Sequence, residues 1–346
     1  MTYNNSQSTP IQTIIIPTWN QKHMLLEAID SCLKQSLKNI EVIVYDDAST
    51  DGTDELMKTV TDERVHYFRA EKNAGVGPEK GRRFGLERAR GKWITFLDHD
   101  DYYTDYDFFA KAVKILEEHS TDSEPIAFLG ASAIVFDVRI GKTVDTIDVR
   151  HSGRVKGMDF VMYPLKYPKP ASVFPTLFNA KILRQIDFEK YSIGDIQLYM
   201  QAALHGDVWY LHELVGVCRM HGGNETFGVN VTPEYKKKHH AGRIKGMRTW
   251  KYVYDQLSKH YGKFQANLWY AERMSLVISW SKNSCKNFKD VLALYYTVFK
   301  ESGFMPIFWV AYPIYRLRLR LRRITPLRKF FQFIKYKILR RPYPEF

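Results

Sequence analysis

The chain has 346 residues, of which 45% are hydrophobic and 26% charged; that is enough for one large or two smaller folded domains, and it excludes a disordered chain. Its net charge of +13 is unevenly placed: residues 316–341 hold eleven Arg or Lys and no acid, while residues 1–315 hold 40 basic against 37 acidic side chains. The basicity belongs to a tail, and it does not mark the globular body as a nucleic-acid binder. The polar start "MTYNNSQSTPIQ" has neither the basic nor the apolar segment of a secretory signal, and Cys32, Cys218 and Cys285 are odd in number and widely spaced. A cytoplasmic protein with reduced thiols is therefore expected.

Residues 1–12 read as a disordered start. From residue 13 to about 97, β-branched runs alternate with stretches at helical spacing, which predicts a sheet built by crossover connections. "TIIIP" is a first strand, and Leu25, Leu26, Ile29, Cys32 and Leu33 line one face of a helix. A second strand, "IEVIVY", runs into "DDASTDGTDE"; then come a short helix, a strand near "VHYF", a helix around "GRRFGLERAR" and a fourth strand, "WITFL". Strands one, two and four end in polar residues, and ligands of such sheets gather beyond the carboxyl ends of the strands.

Past residue 125, "PIAFLGASAIVFDV" predicts a further strand or strand pair, and "YPLKYPKPASVFP" a Pro-rich loop. Residues 233–302, with "MRTWKYVYDQL" and "DVLALYYTVF", read as a helical extension packed on the α/β body. Residues 303–346 differ again: "GFMPIFWVAYPIY" is too short and Pro-broken to span a bilayer, which takes about 20 apolar residues. After Pro326, Leu327, Phe331, Ile334 and Ile338 share one face while Lys329, Lys335 and Arg340 lie off it, the build of an interfacial amphipathic helix.

The acids carry the chemistry. Asp47, Ser49, Asp51 and Gly52 match the first positions of an EF-hand loop, but the closing glutamate is replaced by Lys58, so the calcium reading fails and a capped turn is the bland alternative. In "FLDHDDYY", Asp98, Asp100 and Asp101 crowd the end of an apolar strand, where repulsion raises carboxylate pKa values unless a cation intervenes. Hard oxygens of this kind suit Mg²⁺ or Mn²⁺ with phosphates, while an acidic turn needs no ligand at all.

"IIIPTWNQ", "VIVYDDASTDGT", "NAGVGPEKGRRFGLERARGKWITFLDHDD", "SIGDIQLYM" and "CRMHGGN" together resemble family 2 glycosyltransferases, nucleotide-sugar transferases of the α/β GT-A fold, over roughly residues 12–225. The resemblance implies a catalytic domain over 13–232, with a nucleotide-binding half (13–101) and an acceptor half (102–232). It also implies a nucleotide pocket from Pro17, Trp19, Asn20 and Asp47, with Trp19 stacking on the base where the family usually has Tyr. "DHD" matches the family's DxD-type motif: Asp100 would hold the divalent metal and Asp98 the ribose or a metal-bound water, with His99 in the variable position. His221 resembles the later histidine that approaches the same metal, and would otherwise be a loop residue.

Asp195 sits where the family carries its base, while Gly-Asp opening a helix is also how an N-cap reads. The stretch from Asn73 to Leu86 is longer than the usual form, so Lys80, Arg82 and Arg83 compete to hold the diphosphate, with Arg82 preferred and a solvated basic face as the alternative. Asp101 is left to cap the following segment.

The expected function is an inverting transferase working on a glycan or lipid-linked glycan acceptor of an envelope polysaccharide. Mn²⁺ or Mg²⁺ would be its cofactor, and residues 303–341 would rest on the anionic inner face of the cell membrane. One rival is a nucleic-acid binder using the Arg-rich tail, which leaves the acids without a purpose. Another is a nucleotidyltransferase, for which a Gly-rich phosphate loop with a following Lys is missing near the N-terminus.

Overall fold

The computed structural model describes residues 9–74, 78–149, 151–164, 166–170, 173–222 and 233–282, together with Tyr296. Two compact units divide the chain, Met1–His239 and His240–Phe346. The expected basic tail lies outside the described residues, as do most of residues 283–302.

The first unit opens with β1 (Gln12–Thr18), α1 (Lys22–Leu33), β2 (Ile40–Asp46), α2 (Thr53–Met57), β3 (Val65–Arg69), α3 (Glu79–Arg88) and β4 (Trp93–Phe96). Their strands pair parallel in the order β3-β2-β1-β4. Every residue of β1 and β2 is buried, as parallel strands covered on both faces require, which explains why they read as unbroken apolar runs.

There follow β5 (Tyr102–Tyr103), α4 (Phe108–His119), β6 (Ile126–Asp137), β7 (Lys142–Ile147), β8 (Gly153–Val155), α5 (Gly157–Met162), β9 (Thr176–Asn179), α6 (Ala180–Leu183), α7 (Asp195–Ala203) and β10 (Asp207–Met220). "PIAFLGASAIVFD" is thus one long strand. The sheet continues past β4 as β9-β6-β10-β5, with β7 beside β6 and β8 beside β10. The sheet is parallel through its first four strands. Beyond them β9 runs antiparallel to both β4 and β6, while β6 and β10 pair parallel with a two-residue slip at Leu211/Leu214 and one-residue slips at Asp207/Val208 and Leu214/Val217.

One face of the sheet packs on α1 and α4 through Ile14, Ile16, Val42, Val44, Trp93, Phe108 and Phe109. Tyr103 lies among Phe108, Phe109 and Phe174 with ring centroids 4.8–5.7 Å apart; each such buried aromatic contributes about 1.5–3 kcal/mol by leaving water. On the other face α3 lies directly against β1 and β2. A Cβ on Gly81 would stand 2.7 Å from Pro17 Cβ and 2.9 Å from the Tyr45 ring, and one on Gly85 would overlap Ile15. These two positions, one helical turn apart, set how closely α3 approaches the sheet.

At the amino ends of the strands a buried polar knot joins three elements. Glu41 on β2 accepts hydrogen bonds from Thr13 Oγ1 on β1 (2.6 Å), Arg90 N (2.7 Å) and Arg90 Nε (2.8 Å), while Thr13 Oγ1 accepts from Gly91 N (2.9 Å) just before β4. Glu41 is buried yet paired, as a charge in such a place must be.

The helix α8 (Pro233–Tyr261) starts in the first unit and runs on into the second, where it turns at Gly262, whose φ of +88° favours glycine, into α9 (Lys263–Lys282). Trp250 meets Trp269 edge-on at 5.8 Å, and Tyr254 Oη donates to Asn267 Oδ1 at 2.9 Å. Among the described residues no helix is long and apolar enough to cross a membrane.

Candidate active site

The carboxyl ends of β1, β2, β4 and β10 and the start of α7 supply the residues singled out above. At the β1 tip, Trp19 is 52% exposed, which leaves an indole face open for stacking. Asn20 (φ 51°) and Ala48 (φ 60°) both adopt the left-handed region, a conformation costing about 1–3 kcal/mol each for non-glycine residues and typical of functional loops. A clasp holds them: Asn20 N donates to Ser49 Oγ (2.9 Å) and Asn20 Oδ1 accepts from Thr50 N (2.7 Å). Asn20, expected in the nucleotide pocket, spends its side chain in this structure on joining the β1 and β2 loops. Pro17 is buried beneath α3, and its carbonyl lies 3.1 Å from His99 Nδ1, which therefore carries the proton.

Asp47 accepts the Ala74 N–H at 2.9 and 3.1 Å through its two oxygens, with Lys80 Nζ 3.9 Å away. Its neighbour Asp46, fully buried, binds Tyr67 Oη at 2.6 Å and Ser49 N at 2.8 Å and so builds the turn.

Asp100 and His221 meet, Oδ2 to Nε2, at 2.9 Å. Burial works against the Asp100 charge, but the His221 hydrogen bond and the His99 charge outweigh it and hold the carboxyl below its ordinary range. Asp101 does not cap the segment after it. It is buried and accepts the Arg219 N–H at 3.0 Å, because β10 returns beside the turn and brings that donor to it. Burial, with the charges of Asp100 and Asp98, pushes the Asp101 carboxyl well up. Arg219 fastens the same turn: its Nε donates to the Asp100 carbonyl, its Nη1 pairs with Glu27 of α1 at 2.6 Å, and its guanidinium lies 4.6 Å from the Tyr102 ring.

Arg82 departs most from expectation. Placed on the diphosphate by the sequence, it is 1% exposed and gives Nη1 to Asp195 Oδ1 (2.7 Å) and Nη2 to Asp98 Oδ1 (3.0 Å). Arg83, its competitor, instead pairs with Glu189. Asp195 is the first residue of α7 and Gly194 the residue before it, so the N-cap alternative for Asp195 does not hold. Burial raises the Asp195 pKa, but Arg82 and Lys169 reverse the sign and hold it below the usual value. For Asp98 burial prevails over Arg82, helped by the charges of Asp195 and Asp100, and its pKa is raised.

Lys169 and Arg219 were not found from the sequence. Lys169 sits between Pro168 and Pro170, donates to the Pro170 carbonyl at 3.0 Å and faces Asp195; burial lowers its pKa and Asp195 partly restores it. A lone lysine inside a proline pair was the available signal.

Among the described residues no three His, Cys, Asp or Glu side chains gather as a self-sufficient metal site. A carboxylate and an imidazole meeting beside two further acids nevertheless fit a divalent ion that takes its remaining ligands from phosphates and water. Asp100 and His221 would hold it.

The sheet order and the clustering of these residues at its carboxyl edge define a GT-A nucleotide-sugar transferase fold. Staphylococcus aureus TarS 1–349, solved with UDP-GlcNAc, shares that fold at a TM-score of 0.61, with 18% identity over 84% of this chain and 81% of that one. Residues 13–132 match the family described as Glycosyl transferase family 2, so the chain carries a family 2 glycosyltransferase domain. An uncharacterized glycosyltransferase of Haemophilus influenzae is 44% identical over 95 residues, 27% of this chain and 37% of the relative. The GalNAc(5)-diNAcBac-PP-undecaprenol beta-1,3-glucosyltransferase of Campylobacter jejuni is 26% identical over 218 residues, 61% of this chain and 65% of the relative. The matched region thus spans between about a third and two thirds of these curated relatives.

Proposed function

We propose that the protein is an inverting glycosyltransferase that moves a sugar from a nucleoside diphosphate to a glycan or lipid-linked glycan acceptor in envelope polysaccharide synthesis. The observation that carries this reading is the link between the Asp98–Asp100–His221 cluster and Asp195 through one buried guanidinium. It supports an acidic cluster suited to a cation working beside a carboxylate that Arg82 keeps below the usual aspartate range. The lipid-linked substrate in the name of the Campylobacter jejuni relative and the UDP-GlcNAc bound to TarS support the acceptor and donor classes.

In the reaction, Asp195 takes the proton of the acceptor hydroxyl as its oxygen bonds to the anomeric carbon, opposite the breaking bond to phosphate, and the electron pair leaves with the diphosphate. A divalent ion, when bound, neutralises charge on the leaving diphosphate. Trp19 offers a stacking face to the base, and Asp47 is the carboxylate that bonds the edge of the base in this reading. Work at the inner membrane face, through the basic segment 303–341, belongs to this reading.

The test is a panel of nucleotide sugars with Mn²⁺, with Mg²⁺ and with chelator, reading free nucleoside diphosphate and glycosylated acceptor. Asp195→Asn is expected to keep donor binding and to lose transfer by about 10² to 10⁴. Normal transfer by that variant removes Asp195 from the role of base, and release of pyrophosphate would favour a nucleotidyltransferase.

A further inference from the structure

We infer that Arg82 is a positioning residue that holds Asp195 in register with the Asp98–Asp100 turn, and not a diphosphate contact. The inference rests on the glycosyl-transfer reading above.

Three observations carry it. The guanidinium is 1% exposed, so a phosphate reaches it only by displacing a carboxylate. Its two terminal nitrogens are divided between Asp195 Oδ1 at 2.7 Å and Asp98 Oδ1 at 3.0 Å, with the Ile193 carbonyl 3.5 Å from Nη1. Its Nε has no acceptor among the described residues, so those oxygens alone orient the fork. Asp195 keeps a side chain 38% exposed, which leaves carboxylate surface for an acceptor while one oxygen is fixed.

The helix that carries Arg82 is itself placed tightly. Gly81 against Pro17 and Tyr45, and Gly85 against Ile15, bring α3 so close to β1 that the residue between them lies beneath the strand tips, its guanidinium 5.9 Å from the Phe96 ring. A planar fork suits the work, because it fixes the direction of two carboxylates at once, whereas an ammonium is a point charge that fixes neither. The base on α7 and the first acid of the turn after β4 are 97 positions apart in the chain (195 minus 98), and Arg82 joins them. Its charge also holds Asp195 ionised. The charged groups facing Asp195 are Arg82 of α3, Lys169 of the Pro-rich loop and, across Arg82, Asp98.

Arg82→Gln and Arg82→Lys, compared with the unaltered full chain, test the role. For both, the expected result is an unchanged donor dissociation constant and a kcat lower by about 10²-fold; Arg82→Gln also moves the acid limb of the kcat profile to higher pH, since Asp195 loses the cation that keeps it ionised, whereas Arg82→Lys keeps that charge and loses only the fork. Weakened donor binding with kcat retained would make Arg82 a diphosphate contact and overturn the proposal, as would an unmoved acid limb in folded Arg82→Gln or an unimpaired kcat in Arg82→Lys. Should Arg82→Gln fail to fold, Arg82→Lys carries the test. NMR titration of the Asp195 carboxyl in the unaltered protein carries it independently of both variants: a value at or above the ordinary aspartate range refutes the proposal. If the unaltered protein turns over no nucleotide sugar, the transferase reading fails, and the carboxyl titration still judges the Arg82–Asp195 link.

Discussion

Asp100 and His221 lie 121 positions apart in the chain and meet at 2.9 Å, and neither has another acid or imidazole completing a cage among the described residues. A site of two donors binds a metal well only with help from the ligand. The expected consequence is that metal and nucleotide sugar bind together, each tightening the other. Asp100→Ala should abolish metal-dependent donor turnover while leaving the thermal midpoint nearly unchanged. Donor turnover that persists in this variant, or in the unaltered protein under chelator, would remove the metal role from Asp100. At this scale much was legible in the sequence. The spacing of "DHD" announced a cluster because the three acids are neighbours in the chain, and Asp195 and His221 followed from their motifs. The partners of Arg82 were hidden, since Asp98 and Asp195 lie 16 and 113 positions away. Asp101 was misassigned for the same reason: its donor, Arg219 N, comes from the far strand β10.

Among the elements, α3 decides most. Intrinsic propensity favours alanine over glycine inside a helix by about 1 kcal/mol. At Gly85, however, a Cβ would overlap Ile15, and overpacking of this kind costs about 1–3 kcal/mol, so packing outweighs propensity. Gly85→Ala should therefore destabilise the fold, seen as a lower urea midpoint, and should also lower kcat by tilting Arg82 away from its two carboxylates. A variant both more stable and fully active would show that α3 does not need its close approach. The strands β1, β2 and β4 were readable because parallel strands buried on both faces become apolar runs. The second half was harder. The short β9 leaves no periodic signal and lies between β4 and β6, although it follows them both in sequence, and β10 alternates imperfectly because its register slips three times along β6.

At the scale of the whole molecule, charge is divided between a nearly balanced body and a basic tail. Each Lys or Arg near an anionic leaflet contributes about 1 kcal/mol, so eleven of them predict strong, salt-sensitive adsorption. Deleting residues 303–346 should abolish sedimentation with phosphatidylserine vesicles at low salt and leave turnover of a soluble acceptor analogue unchanged. Undiminished vesicle binding by the shortened chain would place membrane contact elsewhere.

The knot of Glu41, Thr13, Arg90 and Gly91 gives the sheet two ends that do different work. β1 is seven residues long, about 23 Å, with Thr13 tied into a buried ion-paired anchor at one end and Pro17 beneath α3, two residues before the exposed Trp19, at the other. A change at the anchored end alters how many molecules are folded; a change at the other alters what each folded molecule does. The chemistry can therefore be remodelled through the loops at the carboxyl edge, with new donors or acceptors explored there, while the opposite edge keeps the scaffold intact. In this molecule evolvability and stability are kept apart by the length of one strand.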